Sequence, residues 1–400
     1  MYLTLSYPQI MPHVESVGVG LWPVKIKGKW SLIVKTSKEA ILTAKVNKGF
    51  DIYVAPVQFN GSTSVALVTA FYDNDDEPLT IRTPLLADDD FTQGMLSLFA
   101  NNNFGIFFFD EHNRELLSYQ ACGDVHFLLA KLKAATLLRG DAVHEILDRA
   151  EEWFSLRTAQ DDCDAVRINL DESLLRDDFI IMDLGIEKHS FLGSKSFSTT
   201  SLEREEPGQY QELDIVFLFQ RVFKNEQIYL NPIKESDGKE FVDILVSGDE
   251  AVLLIQAKDS PNVERILRST VKRKRSKSVA QLKEAATQLK GAVTFAERNK
   301  VLRFVDGDVV VEVKIGDRQV IGIMIVKELF NDTFNEYDQI AFNVVSESNI
   351  PAFFFDYPEL ARMTFCCNSE DKFLGALYQI WTVAMEKNTF PRLNYPGRPS

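Results

Sequence analysis

The sequence predicts an α/β chain in two parts: an α+β N-terminal part, mostly strands and then helices, and a C-terminal part with a mixed sheet flanked by helices. Three observations carry this. Short apolar runs bounded by turn residues dominate the first 120 or so residues. Helix-spaced leucines follow, from Asp124 to about Leu156. From about residue 205 onward strands and helices alternate, the pattern of an α/β or α+β unit. At 400 residues the chain exceeds the roughly 250–300 residues at which single cores stop growing. We place a boundary near residue 195, giving domains 1–195 and 196–400.

In the first part, Trp30 to Val34 and Ser64 to Tyr72 read as strands. Gly105 to Phe109 and Leu116 to Tyr119 flank the polar stretch Glu111-His112-Asn113-Arg114 and suggest a hairpin. Asp88-Asp89-Asp90-Phe91 reads as a helix start leading into Met95, Leu96, Leu98 and Phe99. The following helical stretch carries Leu128, Leu129, Leu132, Leu137, Leu138, Val143, Ile146 and Leu147, broken in two at Gly140-Asp141. Residues 158–206 read as polar and irregular, with Phe179 to Leu184 as a strand of either part.

In the second part, Tyr210 to Phe223 has helical spacing, and Gln227 to Leu230 is a short strand ending at Asn231-Pro232. Glu240 to Val246 and Ala251 to Lys258 read as strands joined by the turn Ser247-Gly248-Asp249-Glu250. A long helix is expected from Val279 to Ala296, with Val279, Leu282, Ala285, Ala286, Leu289 and Val293 on its apolar face. Strands are expected at Leu302 to Phe304, Val309 to Val313, Val320 to Val326 and Ala352 to Phe355. The last element is a helix from Glu370 to Met385.

Composition bounds the function. The 45% hydrophobic and 26% charged shares are those of an ordinary globular protein. The longest clean apolar run, Val320 to Val326, is far short of the roughly 20 residues of a membrane helix. The start Met1-Tyr2-Leu3-Thr4-Leu5 lacks the basic and apolar stretches of an export signal. Cys122, Cys163, Cys366 and Cys367 have no CxxC spacing, and His13, His112, His126, His144 and His189 form no HExxH. A disulfide framework or zinc site is therefore not expected, and a reducing cytoplasm is.

Net charge is −14, from 44 basic and 58 acidic residues, which on its face argues against a nucleic-acid partner. Its distribution says otherwise. Residues 258–300 hold 12 Lys and Arg against 4 Asp and Glu. The densest part is Lys272-Arg273-Lys274-Arg275-Ser276-Lys277, preceded by Arg265 and Arg268. Such a run attracts phosphate backbones; a solvated loop or an import signal is the plainer alternative.

The hairpin carries the chemistry. A two-residue turn at Gly248-Asp249 sets Val246 opposite Ala251 and Asp243 opposite Leu254. Side chains alternate faces, so Asp243, Leu254, Gln256 and Lys258 share one, with Asp243 and Gln256 diagonal at about 7–8 Å. Val242, Ile244, Val246, Leu253 and Ile255 share the other, and Asp259 on that face reads as structural or surface. An apolar strand thus ends in Gln-Ala-Lys beside an aspartate. Phosphodiester hydrolysis calls for a divalent metal to stabilise phosphate charge and activate water. Oxygen ligands suit magnesium, and an ammonium balances developing negative charge. The plainer alternative is a solvent-facing Asp and a snorkelling Lys on an edge hairpin.

These residues resemble the PD-(D/E)XK nuclease superfamily, in the variant of Mrr-like restriction endonucleases whose central acid is glutamine. Asp243 in Phe241-Val242-Asp243 matches the catalytic acid, Gln256-Ala257-Lys258 the (D/E/Q)-x-K element, and Glu212, four residues after Gly208, the helix acid. The helix Val279 to Ala296, with Gln281 near its start, matches the packing helix. The resemblance covers about residues 205–330. It implies a restriction-endonuclease-like sheet and metal-dependent cleavage with Asp243, Gln256, Lys258 and Glu212 catalytic. Asp243, Glu212 and Gln256 would hold Mg2+ or Mn2+. Val242 replaces the family's proline, and Gln256 removes one negative charge from the metal site.

The expected function is a cytoplasmic, Mg-dependent endodeoxyribonuclease of prokaryotic anti-phage defence, with DNA as partner and no membrane. Arg265, Arg268, Lys272, Arg273, Lys274, Arg275, Lys277 and Gln281 are its candidate nucleic-acid contacts. The first part would take a protein or ligand trigger. The alternative is a catalytically inactive nuclease fold that binds DNA or acts as an oligomeric interaction protein. In that case the end helix, with Phe373, Leu374, Leu377, Ile380, Trp381 and Ala384, is either a homo-oligomer interface or plain core.

Overall fold

Alternating apolar residues in the first 175 positions build one eight-stranded sheet. Its spatial order is Gly20–Ile26, Lys29–Lys35, Asn103–Phe109, Glu115–Cys122, Val166–Ser173, Gly49–Phe59, Ser62–Phe71, Leu79–Pro84. Lys29–Lys35 and Asn103–Phe109 pair in parallel and the other neighbours antiparallel. The Leu21 N–H donates to Thr83 Oγ1 at 3.3 Å, so the two end strands meet and the sheet curls. This computed structural model describes residues 2–393, apart from 60–61, 75–76, 88–89, 138, 140–142, 177–178 and 307–308. The expected helix start at Asp88-Asp89, Leu138 in the leucine series and the helix break at Gly140-Asp141 lie outside the described residues. Helices do run from Asp90–Leu98, His126–Ala134 and Val143–Ser155.

The second half builds a five-stranded mixed sheet in the order Ile228–Leu230, Ile244–Ser247, Ala251–Lys258, Gln319–Val326, Ala352–Asp356. The first three run antiparallel; the last two run parallel to Ala251–Lys258. Ala251–Lys258 is the centre, buried along its length until Lys258. The helix Val271–Arg298 crosses over to Gln319–Val326, and Phe334–Ser348 crosses to Ala352–Asp356. A three-stranded sheet of Ile233–Lys234, Val301–Asp306 and Val309–Lys314 stands beside it. Helices and strands in several sheets make this an α/β or α+β fold. Among the described residues no helix is long and apolar enough to cross a membrane.

Four expectations are corrected. The hairpin register is offset by two: Ser247 pairs with Val252, Val246 with Leu253 and Ile244 with Ile255. Its loop is longer than two residues, and the Asp249 and Glu250 N–H groups donate to the Glu370 carboxylate. Because the offset is even, every side chain keeps its face, and Asp243 comes opposite Gln256 instead of diagonal to it. The helix expected from Val279 begins eight residues earlier, at Val271, so the basic run is helical. Thr270 caps it by accepting from the Arg273 N–H at 3.3 Å. Residues 158–206 are not all irregular: Val166–Ser173 is an interior strand of the large sheet. The helix expected at Tyr210 to Phe223 runs from Gly208–Phe219.

The halves interlock. Phe191 lies in the second half's core, Leu202 and Leu267 in the first's. Buried ion pairs cross between them: Lys38 to Asp259 at 3.6 Å, Lys327 to Glu39 at 3.5 Å, and Arg114 to Asp214 at 2.8 Å.

Candidate active site

The parity of the hairpin places Asp243 and Gln256 side by side where the central strand ends. Asp243 stands just before the strand Ile244–Ser247, 7% exposed, and its Oδ2 accepts the Ala257 N–H at 2.7 Å. With the Gln256 amide assigned so that its nitrogen faces the acceptors around it, that nitrogen lies 3.0 Å from both Asp243 oxygens and 3.1 Å from Gln288 Oε1 and bonds Gln256 to Asp243. Gln256 is 3% exposed, so an amide here satisfies a buried carboxylate that an acid would repel. Lys258, two residues on, places Nζ 3.1 Å from Glu284 Oε1. The Gln211 amide reaches the Lys258 carbonyl at 3.4 Å and ties the helix Gly208–Phe219 to the strand end.

Glu212 approaches from that helix, and its Oε2 accepts the Asn231 amide at 3.0 Å. Asn231 has a positive φ of 48°, a conformation asparagine tolerates well. Its backbone N–H donates to the Asp243 carbonyl at 2.8 Å. One residue thus joins the two acids, one on the helix Gly208–Phe219 and one just before the strand Ile244–Ser247.

The structure adds residues that the sequence reading missed. Glu240 is hydrogen-bonded to Asp243, and burial, that bond and the Asp243 charge push its carboxyl up to about 7. Asp243 is raised as well, by burial and by Glu284, against the Ala257 N–H, Glu240 and the Lys258 charge. Burial and Asp243 raise Glu212, against its bond to Asn231 and the Lys258 charge. Lys258 is the cation common to all three acids. Glu284 and Gln288 share a helix face with Gln281, a spacing of three and four residues that was legible in the sequence. Glu240 lies three residues before Asp243, off the period-two face and ahead of the strand Ile244–Ser247, so alternation did not point to it.

Gln281 donates to the Asp259 carbonyl at 2.7 Å and to Ser260 Oγ at 3.0 Å. One turn before Gln281, Lys277 is exposed, as are Lys272 and Arg273. Burial and the charges of Lys327 and Arg273 lower the Lys277 ammonium. Arg265 pairs with Glu205 at 2.8 Å and Arg268 with Glu264 at 2.7 Å, both exposed. Lys274 and Arg275 are engaged with the first half: Lys274 with Asp73, and Arg275 with Glu77 as well as with Asp332.

Hard oxygen donors and an excess of carboxylate fit a divalent cation in type. Among the described residues no three His, Cys, Asp or Glu side chains converge closely enough to hold one. The four cysteines are unpaired. His112, buried and held near 3 by that burial, bonds Tyr357.

Compared with protein-family models, with curated proteins and with solved structures, the chain matches none.

Proposed function

We propose that the chain is a divalent-metal-dependent endonuclease hydrolysing DNA phosphodiester bonds. The observation that carries this reading is the meeting of Asp243, Gln256 and Lys258 at one strand end, with Glu212 and Glu240 beside them. The resemblance of these residues to the PD-(D/E)XK pattern, in its glutamine variant, supports it.

Asp243 and Glu212 would hold Mg2+ or Mn2+, with Glu240 adjoining; Gln256 would join them only by turning its amide oxygen to where its nitrogen now faces Asp243. The ion, when bound, supplies positive charge to the phosphate and a more acidic water. The protein's own groups position the rest. The Gln256 amide and the Ala257 N–H fix the Asp243 carboxylate. Asn231 fixes Glu212. Lys258, steadied by Glu284, presents an ammonium where phosphate charge develops. Lys277 and Arg273 continue the Gln281 face of the helix away from the site, and with Lys272, Arg265 and Arg268 they would meet flanking phosphates. DNA contact at Lys274 and Arg275 would need their pairs with the first half to open. The reading extends to a cytoplasmic enzyme directed at foreign DNA, with the first half as its sensor.

The test is plasmid DNA incubated with the protein and Mg2+, Mn2+ or a chelator. Nicking or linearisation that requires the metal and is lost in Asp243→Ala is expected. Cleavage that survives the chelator, or that Asp243→Ala leaves unchanged, sinks the reading. A second reading, a DNA-binding module without catalysis, is favoured by the neutral Gln256. Salt-sensitive DNA binding with no calorimetric uptake of Mg2+ or Mn2+ would select it.

A further inference from the structure

The two halves close over a second concave site, away from Asp243. It encloses about 80 Å³. Four cations line it, two from each half: Lys35 and Arg82 from the first, Arg221 and Arg362 from the second. Ile81 and Phe365 supply apolar wall.

Three of the cations are fixed by backbone contacts and keep donor capacity. Lys35 is 4% exposed, and Nζ donates to the Val14 and Val17 carbonyls at 2.8 and 2.6 Å, two of its three protons. Arg221 donates through Nη2 to the Glu111 carbonyl at 2.6 Å and through Nη1 to the Ala361 carbonyl at 3.1 Å. Arg82 Nη1 reaches the Leu147 carbonyl at 3.3 Å and the Glu151 carboxylate. Arg362 differs: its Nε is buried and has no hydrogen-bond partner among the described residues. An unmade bond on a buried guanidinium nitrogen is costly.

Only Arg82 of the four has an ion-pair partner among the described residues, Glu151, which lies outside the lining. The one acid in the lining, Glu111, is 5% exposed, and burial with the adjacent Asp110 pushes its carboxyl up to about 8. It is mostly neutral at pH 7. Burial and Arg221 push the Lys35 ammonium down to about 8, and Arg362 adds to the burial that lowers Arg82. Like charges gathered in one concavity repel, and a bound anion is what relieves them. Guanidinium forks match phosphate oxygens in geometry.

We propose that this interdomain pocket binds a small phosphate-bearing anion, held by Arg362 and Arg82 with Lys35 and Arg221 behind them. Because the ligand touches both halves, it ties their relative placement. The proposal is independent of the nuclease reading, since its assay contains no cleavage step.

The test is calorimetric titration of the full chain with inorganic phosphate and, separately, with AMP, against a chloride control of equal ionic strength. Binding below about 1 mM with a rise in Tm is expected for at least one probe. Affinity for AMP well above that for phosphate assigns the site to the phosphate end of a nucleotide; equal affinities assign it to phosphate alone. Arg362→Ala should weaken binding at least tenfold, and Arg362→Lys less. A circular dichroism melt of each variant without ligand shows that it is folded. Neither probe binding the wild type, or Arg362→Ala binding as the wild type does, overturns the proposal.

Discussion

Asp214 is the sharpest place to test how the halves hold the candidate site. It sits two residues after Glu212 on the same helix and is 2% exposed. Its Oδ1 accepts from Arg114 Nη1 at 2.8 Å, and its Oδ2 from Arg204 Nη1 at 2.8 Å. Arg114 belongs to the hairpin of the first half and also bonds Asp110, at 2.7 Å. Burial alone would raise the Asp214 carboxyl; Arg114, Arg204 and His112 overcome it and hold it well below the usual range. Asp214→Asn keeps the shape and removes the charge. Arg204 then loses its only ion-pair partner among the described residues while 2% exposed. Breaking one partner of a buried ionic cluster costs about 3–5 kcal/mol. The assay is urea unfolding followed by fluorescence, comparing midpoints at equal slope. The wild-type contribution is full above the ordinary Asp pKa of about 3.9 and is lost as pH falls through the lower folded value. The variant should therefore lack that part of the acid limb. A loss under about 1 kcal/mol at pH 7 would refute the reasoning.

Other expectations follow from the same contacts. Glu240 has a raised folded pKa, so its contribution is present below about 4.5 and is lost as pH rises through about 7. Glu240→Gln should remove that slope in melts between pH 5 and 8, by about 1 kcal/mol after allowing for solvent screening of an exposed side chain; an unchanged slope would contradict it. Gln256→Glu sets a second carboxylate against Asp243. It should lower stability without divalent ion by about 1–3 kcal/mol, and its Tm should rise with Mg2+ more than the wild type's does; equal responses to Mg2+ would count against the metal site. A Cβ at Gly322 would lie 2.7 Å from Leu289 Cδ2, in the contact between the central sheet and the long helix. Gly322→Ala should cost about 1–3 kcal/mol, and a neutral denaturation midpoint would show that the contact yields freely.

The central strand was legible because Val252-Leu253-Leu254-Ile255 is an apolar run between turn and polar signals, and the facing of Asp243, Gln256 and Lys258 followed from period two alone. The register was not legible, because the loop is set by Glu370, a residue 120 positions away that binds its N–H groups. The basic run hid its helix for a related reason. It has no apolar stripe before Ser278, since Lys274 and Arg275 pack through charge against Asp73 and Glu77. Val166-Arg167-Ile168-Asn169-Leu170 did carry strand alternation, which its polar surroundings obscured. The helices Phe334–Ser348 and Tyr357–Cys366 went unread. Tyr357–Cys366 is capped by Asp356 in a capping box with Glu359, a signal that the sequence Asp-Tyr-Pro-Glu did contain. At the site, Glu240 and Asn231 act through loop geometry, which no periodicity reports.

The central claim is that Lys258 and its neighbours form a metal-dependent phosphodiesterase site. Its most direct measurement is the rate of plasmid cleavage by Lys258→Met beside the wild type, at fixed Mg2+ and with matched circular dichroism spectra. Loss of one positioned charge at a developing oxyanion costs about 10²–10³ in rate, so a fall of that size with the fold intact is the predicted result. Cleavage by the variant within about threefold of the wild type, smaller than the loss of any such charge, would contradict the claim.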